Sequence, residues 1–87
     1  MHPDPPFWFK QRQCKAEPAG NDTMLKVTGP NLGEAFLRIE KTENAGWKAA
    51  LRVAAEGPDV DATEPEIATP KEAWDAAFEL YRLHVIA

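Results

Sequence analysis

There is no serine anywhere in the chain, which removes the commonest hydroxyl nucleophile and every motif built on it. Cysteine occurs once, at Cys14, so an intrachain disulfide and a thiolate zinc cage are excluded and the fold rests on packing. No apolar run approaches the roughly 18 residues that cross a bilayer. The opening "MHPDPPFWFK" also lacks the basic start and apolar core of a secretory signal, so the chain reads as cytoplasmic, with no membrane partner. Bases are scarce after residue 55, where two Lys and Arg stand against eight acids; residues 1–55 carry eight bases and six acids. The net charge of −4 is therefore segregated along the chain.

What is present suffices for one core. A chain of this size buries roughly 60 to 65% of its unfolded surface, enough for a single sheet and one long helix. With 44% hydrophobic and 28% charged residues, the composition is that of a globular domain and not of a disordered segment. Residues 1–6, with three prolines, read as a flexible Pro-rich arm, and residues 7–87 as a single α+β domain.

"FWFKQRQC" alternates, with Phe7, Phe9 and Gln11 on one side and Trp8, Lys10 and Arg12 on the other, which predicts a first strand. "EPAGND" follows as a turn, "TMLKVT" as a second strand and "GPNLGE" as another turn. Residues 35–54 fit two patterns. As a hairpin, Ala35, Leu37 and Ile39 share a face with Trp47, Ala49, Leu51 and Val53, and "ENAG" turns the chain. As two helices, Leu32, Ala35, Phe36 and Ile39 make one stripe and Trp47, Ala50, Leu51 and Ala54 another. The hairpin is preferred, because the segments are short for helices and the earlier strands need partners. "DVDATEPEIATP" reads as a long acidic surface loop, with "EIA" as a brief edge strand.

The final helix is the best-marked element: Thr69 is placed as N-cap, Pro70 as first helical residue, and Glu72 completes a capping box. Trp74, Ala77, Phe78, Tyr81 and Val85 recur at core-facing spacing, with Ala73, Ala76, Leu80 and Leu83 beside them. That apolar arc is wider than one sheet contact needs and suggests a homodimer or a tightly wrapped helix. The predicted fold is thus an α+β domain, a three- or four-stranded antiparallel meander with one C-terminal helix across one face.

No catalytic constellation emerges. His84 falls in the last turn, where an imidazole bonds free carbonyls, and Cys14 has no nucleophile signature around it. "GPNLGE" lacks the Lys-Ser/Thr of a phosphate cradle, and Asp59, Asp61 and Thr63 start a calcium-loop spacing that fails at Glu64 and Pro70. Catalytic residues, metal and cofactor are all read as none.

Two binding surfaces remain. The predicted sheet face away from the helix carries Trp8, Lys10, Arg12, Lys26, Phe36, Arg38, Lys48 and Arg52, cations for phosphates and aromatics for bases. Glu56, Asp59, Asp61, Glu64 and Glu66 form an acidic patch suited to a basic partner. A sheet closed by a helix opening on "TPKEA" also resembles the DNA-binding sheets of plant AP2-type and phage integrase arm domains, over about the last 50 residues. The resemblance implies DNA contact through the sheet; the strands here are less basic and the loop is acidic, so no site residue carries over. The functional expectation is a non-catalytic interaction module for protein, self or other. Nucleic-acid binding through the basic face is the alternative, and an acidic decoy of a nucleic-acid-binding partner the second.

Overall fold

The computed structural model describes residues 4–20, 23–30, 32–43, 46–54, 57–63 and 67–86. An antiparallel sheet carries a C-terminal helix on one face, so the α+β expectation stands, but the sheet has five strands and not three or four. In chain order the elements are α1 (Phe7–Gln11), β1 (Lys15–Pro18), β2 (Met24–Gly29), β3 (Leu32–Lys41), β4 (Trp47–Arg52), β5 (Asp59–Ala62) and α2 (Pro70–Tyr81), continued by a π-helical turn over Arg82–Ile86. The strands lie in sequence order, β1-β2-β3-β4-β5. Each step is a short return, so no crossover is required.

The predicted hairpin is observed, with Leu37 opposite Leu51 and Ile39 opposite Ala49. Ala35, Leu37, Ile39, Ala49 and Leu51 all point to the helix and are buried, as period-two alternation demands. The helix starts as its residues require: the Thr69 hydroxyl accepts from the Glu72 amide at 3.2 Å, and Pro70 occupies the first turn. Its buried residues are Ala73, Trp74, Ala77, Phe78, Leu80 and Tyr81, the predicted stripe extended on both sides. Alanines let the helix axis approach β3 and β4 closely, while the three aromatics supply bulk. Leu83, expected beside them, is 56% exposed, because the chain widens into the π turn at Arg82 and the helical phase is lost.

Two expectations are corrected. Residues 7–11 form a helix, not a strand. A strand would put Phe7 and Phe9 on one face, yet Phe7 is 74% exposed and Phe9 is 1% exposed, the separation that a helical turn produces. Pro6, at φ −65°, opens this helix, and its carbonyl accepts from the Phe9 amide at 3.1 Å. The first strand comes later, at Lys15–Pro18, and runs into the first two residues of the predicted turn; the reversal follows at Gly20, whose φ of +104° suits glycine. The acidic segment, in turn, is not all loop. Asp59–Ala62 pairs with β4 as a fifth strand, through a bulge at Val60. Ile67, from the predicted brief edge strand, bridges Trp47.

Replacing Thr69 by alanine should cost about 1 kcal/mol, the usual worth of a hydroxyl cap. Urea unfolding followed by tryptophan fluorescence measures it, and an unchanged midpoint would show that packing alone fixes the start of α2.

Candidate functional site

The helix layer covers one face of the sheet and leaves the other open. Alternation places Lys15 and Glu17 of β1 on the open face, since Ala16 packs against the core. Lys26 follows from β2, then Glu34, Phe36, Arg38 and Glu40 from β3, Lys48, Ala50 and Arg52 from β4, and Asp59 from β5. Of the residues predicted to share a basic face, the sheet brings together Lys26, Phe36, Arg38, Lys48 and Arg52. Trp8 and Lys10 are on α1 and Arg12 is its C-cap, and this helix packs into the helix layer through Phe9. They are withdrawn from the open face because their segment is helical.

The remaining cations have local partners. Lys26 reaches Glu34 at 3.2 Å. Arg38 donates to Glu40 at 2.8 Å and to Asp59 at 3.1 Å, while Arg52 donates to the other Asp59 oxygen at 2.7 Å. Lys48 stands opposite Glu40 across the β3–β4 ladder. Asp59 is therefore a carboxylate shared by two guanidiniums, held there by the bulge that puts it in register with Arg52. Burial alone would raise the Asp59 carboxyl, but hydrogen bonds and charge from Arg52 and Arg38 outweigh it and leave the carboxyl below its usual range. Burial would lower the Arg38 guanidinium, and Glu40 and Asp59 more than compensate, so it is raised. The Glu40 carboxyl is held down mainly by its hydrogen bond from Arg38.

This face is also drier than strand alternation suggests. Phe36 is 9% exposed and Ala50 1% exposed, although no helix lies over them. In the register Phe36 stands between Lys26 and Arg52, and Ala50 beside Arg38, long side chains whose stems cover apolar surface. One row across all five strands reads Glu17, Lys26, Phe36, Arg52, Asp59. Its charge order is acid, base, apolar, base, acid.

The predicted acidic patch is divided. Asp59 lies on the open face, whereas Asp61, opposite Leu51, is on the helix side and meets His84 Nε2 at 2.7 Å. Glu56, Glu64 and Glu66 lie outside the described residues. His84 was expected to bond helix carbonyls; instead it ties the terminal turn to β5, and its hydrogen bond lowers the Asp61 carboxyl. Nothing local in the sequence signals either partnership of β5, since each depends on which way the bulge turns the strand.

Among the described residues no group of three His, Cys, Asp or Glu could hold a metal ion, and no helix is long and apolar enough to cross a membrane. No family model, no curated protein and no solved structure matches the chain.

The shared carboxylate gives a pH prediction. Because the folded Asp59 pKa is depressed, its contribution is present above the unfolded value of about 3.9 and is lost as pH falls through the lower folded value. Asp59→Ala should destabilise by about 1 to 3 kcal/mol at neutral pH. The gap between wild type and variant, followed by urea unfolding, should close in acid, and a gap constant with pH would show that the carboxylate charge is not what matters.

Proposed function

We propose that the chain is a small non-catalytic interaction module that engages another protein through the open face of its sheet. The reading rests on one observation, the row Glu17, Lys26, Phe36, Arg52, Asp59, in which the inner cations are flanked by acids. A nucleic-acid surface needs uncompensated cations and aromatics free to stack. Here Asp59 and Glu40 together neutralise Arg38 and Arg52, and Phe36 is covered. A protein surface of alternating sign can exchange such pairs one for one, which yields specificity more than raw affinity.

The same row disfavours a second copy as the partner. A two-fold axis over Phe36, lying along or across the strands, brings acid onto acid and base onto base. Self-association centred on Phe36 is therefore repulsive. With strands about 4.8 Å apart, the complementary surface carries two acids about 10 Å apart, opposite Lys26 and Arg52, with bases outside them.

Amide-resolved titrations with single- and double-stranded oligonucleotides, at low and moderate salt, together with sedimentation over a wide concentration range, test this. The expected result is a monomer whose strand resonances ignore nucleic acid. A photo-crosslinker at Thr28 should then capture one heterologous protein, and the charge reversals Lys26→Glu and Arg52→Glu should abolish that capture. Salt-sensitive shifts over β2–β4 would move the assignment to nucleic acid, and a dimer with shifts on the same strands would replace the heterologous partner by a second copy.

A further inference from the structure

Arg38 lies on the central strand of the open face, and its side chain is only 18% exposed. Its cross-strand neighbours are apolar, Met24 on β2 and Ala50 on β4. A guanidinium is a planar fork of donors, and in such surroundings each donor needs an acceptor. Two of its nitrogens have one: Nη1 donates to Glu40 at 2.8 Å, and Nη2 to the two oxygens of Asp59 at 3.1 Å and 3.4 Å. The third, Nε, is buried and has no hydrogen-bond partner among the described residues. An unmatched donor on a largely buried cation is costly, and it marks a place where an acceptor is missing.

The two resident acids leave different openings. Asp59 has its shorter bond to Arg52, at 2.7 Å, so it can release Nη2 of Arg38 and stay paired. Nη2 and Nε form one edge of the guanidinium, which a carboxylate grips with both oxygens. A small turn of Asp59 onto Arg52 therefore frees a complete two-donor edge. Glu40 keeps Nη1 and is 53% exposed, so a base can approach it from outside. Glu40 and Asp59 on either side repel a phosphate dianion, whereas a carboxylate that arrives with its own base adds no net charge.

We propose that Arg38 anchors the partner, its Nε–Nη2 edge taking one side-chain carboxylate of an extended protein segment that carries a base two residues along, over Glu40. The spacing follows from β3 itself: Arg38 and Glu40 are two residues apart on one face, roughly 7 Å, which an acid-x-base segment matches when it is also extended. The inference rests on the reading that the open face engages another protein. Of the two acids that reading places opposite Lys26 and Arg52, it carries the second to Arg38, the diagonal neighbour of Arg52 across the β3–β4 ladder. Arg52 then acts as a positioning residue, holding Asp59 aside.

The test titrates the full chain, carrying nitrogen-labelled arginine, with the blocked peptide Ala-Glu-Ala-Lys-Ala at millimolar concentration and reads the arginine Nε–H resonances. The Arg38 signal should move to low field and saturate, and the same peptide with Gln in place of Glu should leave it still. Arg38→Lys should weaken peptide binding roughly tenfold, since an ammonium has no fork. Arg52→Gln, with its fold checked by the amide spectrum, should weaken it severalfold, because Asp59 then stays on Arg38. An Arg38 signal indifferent to the peptide, or binding unchanged in Arg38→Lys, overturns the anchor. An equal shift with acetate alone replaces the protein segment by a free carboxylate and overturns the proposal as well. The Thr28 crosslinker separates this failure from that of the interface: capture that survives Arg38→Lys rejects the anchor and keeps the face, whereas no capture in the unaltered chain rejects both.

Discussion

The structure depends on the burial of one aromatic stripe, Trp74, Phe78 and Tyr81, against the β3–β4 hairpin. The hairpin alone is a marginal element, and the helix alone, at twelve residues, is near the lower limit for stability in water. Each supplies the apolar surface the other lacks. Full burial of a large aromatic contributes on the order of 2 to 3 kcal/mol, a sizeable share of the stability of a small domain. The remaining elements attach to this unit: α1 through Phe9, β5 along the far edge of β4, and the terminal turn through His84.

Once one sheet face is committed to that core, the polar residues of alternating strands must all emerge on the other. Charges of both signs therefore meet at strand spacing, and cross-strand pairing decides how much of each remains available. The sequence counts of acids and bases do not contain this information. Arg38 and Arg52 look like free cations along the chain and become partners of one carboxylate in the sheet.

Legibility followed the strength of local periodicity. The cap at Thr69, the stripe of α2 and the hairpin were legible because several residues repeat the same signal. The segment "FWFKQ" misled because its alternation is short, and an aromatic triplet satisfies either period until Phe9 is seen inside and Phe7 outside. β5 was hidden by its acids, which suit solvent, and by a bulge that only pairing with β4 reveals. The candidate face was half legible: Lys26, Phe36, Arg38, Lys48 and Arg52 do share a side, but Asp59 joins them through a register shift that no spacing rule announces. Tyr81 reads as core in the sequence and is wholly buried in the structure, but its contact with Phe9 could not be anticipated, because the two are far apart in the chain.

The edges of the sheet carry one more consequence, for colloidal behaviour. At one border β1 is four residues long and ends on Pro18, which offers no amide to an incoming strand. At the other, β5 is equally short, bulged at Val60 and flanked by Asp59 and Asp61. A strand from a neighbouring molecule meets a missing donor on one side and a kinked, negatively charged ladder on the other. The sheet is finite by construction, so crowding the chains together does not extend it into ordered fibres.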